Sequence, residues 1–97
     1  MQMKMTVTQP ALEWFQSEWG FKSGDYVRVF VRYGGNSTIH EGFSLGIAKE
    51  EPKEIGMFAT IEGITFYMEQ DDVWYVNDKE LTIDYQQKTD ELLFALA

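Results

Sequence analysis

The sequence predicts an α+β domain that is mainly β. Two packed, mostly antiparallel or mixed sheets would form a flattened, barrel-like body with one N-terminal helix and one short helix. Three observations carry this. Apolar and polar residues alternate with period two through most of the 97 residues. Residues 8–20 switch to helical spacing instead. Turn-forming residues break the alternating runs at short intervals, which favours hairpins over parallel crossovers.

The elements follow in order. Met3, Met5 and Val7 alternate with Lys4 and Thr6 as a short opening strand. Thr8 is a good N-cap, and Pro10 sits in the first turn, where its missing N–H costs nothing. Ala11, Leu12, Phe15 and Trp19 then form one apolar stripe, with Trp14 on its flank and Gly20 as the stop. From Asp25 to Tyr33 comes the clearest strand, with Val27, Val29, Val31 and Tyr33 on one face and Tyr26, Arg28, Phe30 and Arg32 on the other. Gly34-Gly35-Asn36-Ser37 breaks it. A strand from Glu41 to Ala48 carries Phe43, Leu45 and Ile47 on one side. Its other side, Gly42, Ser44, Gly46 and Ala48, is small enough to admit a sheet, a subunit or a ligand at close range. Glu50 to Glu54 is a charged loop, and Met57–Ile61 and Ile64–Met68 are strands around a Glu62-Gly63 turn. Gln70-Asp71-Asp72 caps a short helix through Val76, although an apolar run of four suits either helix or strand. Leu81, Ile83 and Tyr85 mark one more strand. Gln87 to Asp90 turns into a last one, whose Leu92, Phe94 and Leu96 face inward.

Length fits one domain over residues 1–97, able to bury roughly two-thirds of its unfolded surface. No apolar run approaches the roughly 20 residues that span a bilayer, and the start, Met1 to Met5, has no signal-peptide core. A cytoplasmic location is expected. Sixteen acids against eight basic residues give a net charge of −8, which argues against nucleic acid and anionic membrane surfaces as partners. A homo-oligomer is compatible with exposed sheet edges.

The chain contains no cysteine, which excludes thiolate nucleophiles and zinc-thiolate sites. Its single histidine, His40, next to Glu41, is a thin start for a metal site or a triad and reads first as a loop residue. Gly35, Asn36 and Ser37 could cradle an anion through backbone N–H groups, but they lack P-loop spacing. Arg28 and Arg32 share a strand face and could meet a carboxylate of a ligand or partner; cross-strand pairing with the chain's abundant acids is the plainer reading. The acid pairs Glu50-Glu51 and Asp71-Asp72 are explained by solvation and by the helix dipole.

The stretch Val27-Arg28-Val29-Phe30-Val31-Arg32-Tyr33-Gly34-Gly35-Asn36-Ser37 resembles the central strand and loop of HesB/IscA-type proteins, the A-type iron–sulfur carriers. Phe43–Ala48 with Glu50-Glu51-Pro52, Gly63–Glu69, Asp78–Asp84 and the opening Met5-Thr6-Val7-Thr8 are similar to other parts of that family. Asn36 stands where its first cysteine would be, and the chain ends at Ala97 before its later Cys-Gly-Cys. The resemblance implies a cysteine-free HesB-like relative of iron–sulfur biogenesis proteins that binds no thiolate-ligated cluster and needs no cofactor. It would be non-catalytic, a regulator or a binder of iron–sulfur assembly proteins. The alternative is a small-ligand or anion-binding module on the Gly34–Ser37 loop, with His40 and Glu41 at its edge.

Overall fold

A computed structural model describes residues 4–33, 43–76 and 79–96. Among these, the strands are β1 (Met5–Val7), β2 (Tyr26–Tyr33), β3 (Phe43–Lys49), β4 (Ile55–Ile61), β5 (Ile64–Glu69), β6 (Leu81–Gln86) and β7 (Glu91–Leu96). One helix, α1 (Gln9–Glu18), follows β1, and a 3-10 helix (Gln70–Val76) follows β5. The expected α+β, mainly β class is what forms.

The described strands make a four-stranded sheet in the order β3-β2-β5-β4 and a three-stranded sheet in the order β1-β6-β7. Each is assembled from sequence-local hairpins. β2 pairs antiparallel with β3, β4 with β5, and β6 with β7. Two short parallel pairings complete them. Tyr26–Arg28 lies beside Thr65–Tyr67, and Met5–Val7 lies beside Leu81–Ile83. The expected pair of mixed sheets forms around one core, and among the described residues neither sheet closes into a barrel. No described ladder joins them. Their edges are β3 and β4 in one sheet and β1 and β7 in the other.

Period-two alternation sets the buried faces. Val27 and Val29 of β2, with Ile64, Phe66 and Met68 of β5, have no exposed surface. Met5, Val7, Leu81 and Ile83 supply the facing layer. Leu92, Phe94 and Leu96 of β7 pack against this core while only half-buried.

α1 closes the core. Thr8 is its N-cap, accepting the Ala11 N–H at 3.4 Å, and Pro10 occupies the first turn. Ala11, Leu12 and Phe15 are buried as the stripe requires. Trp19 departs from it. The helix ends at Glu18, so Trp19 becomes the C-cap, remains 42% exposed and stacks on Phe21 at 5.6 Å.

Glu62 and Gly63 form the two-residue β4–β5 turn, with φ of 50° and 80° as a primed hairpin turn demands. The small face of β3 also has a local explanation. A Cβ at Gly46 would stand 2.6 Å from Phe30 Cζ and 2.8 Å from Arg32 Cδ. The close approach anticipated for a subunit or ligand is made by side chains of the neighbouring strand. One boundary shifted: β4 begins at Ile55, not Met57, while the expected start of β3 at Glu41 lies outside the described residues. The segment after Glu69 winds as a 3-10 helix with Tyr75 and Val76 buried.

Phe15→Ala should lower the stability by about 3–5 kcal/mol through the lost transfer energy and the cavity left behind. A urea midpoint equal to that of the wild type would contradict the role given to this ring.

Candidate interaction surfaces

β2 turns Tyr26, Arg28, Phe30 and Arg32 away from the core. Arg28 stands between Ala48 of β3 and Tyr67 of β5. Its Nη1 donates to Glu50 Oε2 at 2.6 Å, and its Nη2 lies 3.6 Å from Asp72 Oδ2. The guanidinium also sits 5.7 Å from the centre of the Phe30 ring. Burial works against the Arg28 charge, but the Glu50 hydrogen bond and the fields of Glu50, Asp72 and Glu69 outweigh it and raise the pKa. Tyr67 is fully buried beside it and donates its hydroxyl to the Glu50 carbonyl at 2.6 Å.

Arg28 therefore meets carboxylates of its own chain, although they come from the loop after β3 and the 3-10 helix and not from a facing strand. It ties the loop after β3 and the 3-10 helix to the sheet. Arg32 shares this face, is exposed, and lays its Cδ toward Gly46. Gly35, Asn36, Ser37, His40 and Glu41, the other candidates, lie outside the described residues.

A second surface was not anticipated from the sequence. Trp14, half-buried on the flank of α1, stacks on Tyr85 of β6 with ring centres 5.9 Å apart and planes 27° apart. This pair walls a groove of about 670 Å³ that also presents Glu13, Glu18, Gln87 and Asp90. Tyr85 donates its hydroxyl to Asp90, which raises the Tyr85 pKa, with smaller contributions from burial and from the Asp90 and Glu18 charges. Asp90 holds this position from a left-handed turn conformation, φ 54°. Below the groove, Asp84 accepts the Thr8 hydroxyl at 2.6 Å and the Tyr85 N–H at 2.8 Å, which lowers its pKa. The signal in the sequence was Trp14 at the edge of the helical stripe, where a large ring has too little core to fill.

No family model matches the chain. It is 47% identical over 92 residues to a Bacillus subtilis (strain 168) protein named pyruvate dehydrogenase inhibitor, an alignment covering 95% of this chain and 97% of that protein. This chain belongs to the family of that Bacillus protein. An uncharacterised Staphylococcus saprophyticus protein is 34% identical over 96% of this chain and 98% of its own length. An uncharacterised Staphylococcus epidermidis protein is 30% identical over 95% of this chain and 97% of its own.

Membership of the pyruvate dehydrogenase inhibitor's family corrects the HesB/IscA reading. Nothing in these matches points to HesB-like proteins, to iron–sulfur biogenesis or to iron–sulfur assembly partners. The physical reason lies in what carried the resemblance. An alternating strand, a glycine turn and a Glu-Pro turn are the parts that many half-exposed hairpins share. The cysteines, the one element with its own chemistry, are absent. Among the described residues, no helix is long and apolar enough to cross a membrane.

Two titrations test this geometry. Asp84 ionises below its usual 3.8 because Thr8 and the Tyr85 N–H bond its charged form. Its contribution to stability is complete above pH 3.8 and is lost as pH falls through the lowered value. Asp84→Asn should therefore show a flatter fall of Tm below pH 3.8 than the wild type; parallel acid limbs would refute the linkage. Tyr67 is pushed up to about 12 by burial and by the charges of Glu69 and Glu50. Its neutral form favours the native state below pH 10, and that advantage disappears as pH rises through about 12. Ultraviolet difference titration should show a phenol ionising at about 12 that Tyr67→Phe removes.

Proposed function

We propose that this chain is a regulatory protein that binds a pyruvate dehydrogenase and inhibits it. One observation carries the reading: near full-length identity of 47% to a protein named for that activity. The alignment covers 95% of this chain, nearly all of the α+β scaffold. The reading places the chain in the compartment of its target enzyme.

The disposition of acids supports binding over catalysis. Glu50 and Asp72 face Arg28, Glu69 accepts the Lys53 and Glu54 N–H groups, and Asp84 anchors Thr8. These carboxylates serve structure. Among the described residues, no group of three or more His, Cys, Asp or Glu could hold a metal ion. An inhibitor of this kind needs a preformed surface. A standard interface takes about 800 Å² from each partner, a modest part of the 6073 Å² this chain exposes.

The test is a rate assay on purified pyruvate dehydrogenase from the same source with increasing amounts of the chain. Pyruvate-dependent activity should fall along a saturable curve, and the two proteins should co-migrate in sedimentation. An unchanged rate at large molar excess, with no co-migration, would remove the proposal.

A further inference from the structure

Three features of the groove between α1 and the β6–β7 turn specify a ligand chemistry. The first is shape. A groove of about 670 Å³ lies within the range of pockets that enclose ligands or partner side chains. The second is its wall. Trp14 is fixed edge-on against Phe15 at 5.1 Å and stacked on Tyr85, and Tyr85 is fixed by its hydrogen bond to Asp90. Rings held this way lose little freedom when something packs on them. The third is charge. Glu13, Glu18 and Asp90 line the groove, and its lining includes no lysine, arginine or histidine.

The allocation of cations within the chain sharpens the third feature. Arg28 serves Glu50 and Asp72, and Lys49 serves Asp25. Among the described residues, no lysine or arginine lies within ion-pair distance of Glu13, Glu18 or Asp90. The groove thus joins aromatic surface to carboxylates that the fold leaves without a cation. An aromatic ring beside carboxylates is an environment for an alkylated cation, which gains from the ring quadrupole and from the charges together. A net charge of −8 adds long-range attraction for a basic surface.

We propose that this groove docks a basic segment of the target enzyme, with an arginine or lysine head against the Trp14–Tyr85 pair and its charge facing Glu13, Glu18 and Asp90. The proposal rests on the inhibitor reading and names the part of the chain that performs it. An arginine suits the site best, because its planar group can stack on the indole and pair with a carboxylate at once.

The experiment compares two charge-matched double variants of the full chain. Glu13→Lys with Glu18→Lys reverses the groove, whereas Glu54→Lys with Glu62→Lys makes the same change of net charge elsewhere on the exposed surface. Affinity for purified pyruvate dehydrogenase is read by calorimetry at low and moderate salt, and inhibition by rate assay. The groove reversal should weaken binding and inhibition on the order of tenfold or more beyond the control, with a loss of salt dependence. Should the reversal fold poorly by circular dichroism, Glu13→Gln with Glu18→Gln and Asp90→Asn replaces it and should show the same ranking.

If the wild type inhibits and the groove and control variants bind alike, the groove proposal is overturned while the inhibitor reading stands. If the wild type neither binds nor inhibits, the inhibitor reading falls and takes this one with it. If the wild type self-associates and the groove reversal abolishes that, the occupant is a second copy and the proposal is wrong.

Discussion

Phe15 is the point at which two separate sheets share one core. Its ring is fully buried, 5.2 Å from Phe66 of the four-stranded sheet and 6.0 Å from Phe21. On its other side Trp14, 5.1 Å away, passes the contact to Tyr85 of the three-stranded sheet. A run of rings thus crosses from one sheet to the other through α1. Polar contacts fix the same helix at its start. The Thr8 N–H donates to the Ile83 carbonyl at 3.0 Å, and the Thr8 hydroxyl donates to Asp84. No described strand ladder connects the sheets, so their relative position rests on packing: this helix and the direct contact of β1 with β4.

That dependence explains which parts of the fold were legible. The hairpins were, because each joins neighbours in sequence across turns with recognisable chemistry, such as Glu62-Gly63. The helix was, because Thr8, Pro10 and the Ala11–Leu12–Phe15 spacing mark its start and inner face. The parallel pairings were not. β1 on β6 and β2 on β5 are three-residue contacts between distant segments. Alternation determines which face of a strand is buried, but it says nothing about which strand lies alongside.

The surfaces were legible to a smaller degree. Arg28 stood out as a cation on an amphipathic strand, yet its partners Glu50 and Asp72 come from two different segments. Trp14 could be read as a ring at the margin of the stripe. Glu18 sits one turn along the same helix, but Tyr85 and Asp90 join it only once β6 and β7 are folded against α1. Kinship was misread for a related reason. Strand rhythm and turn residues report the architecture, and unrelated β-rich chains share them; identity spread over 95% of the chain reports descent.

The two surfaces differ in how their charge is balanced, and this bears on function. At Arg28 the fold supplies both signs, and the guanidinium fastens the loop after β3 and the 3-10 helix to the outer face. Around Trp14 and Tyr85 the charged residues that line the groove are all acidic, held by an exposed helix edge and a turn. Exposed like charges repel weakly in water, so such a grouping is tolerated without a cation. The same groups gain when a partner brings the missing sign and excludes water from the rings. The carboxylates around Arg28 are committed to the fold, whereas those that line the groove have no cation within ion-pair distance among the described residues, and on the docking proposal they are the ones a partner would pair.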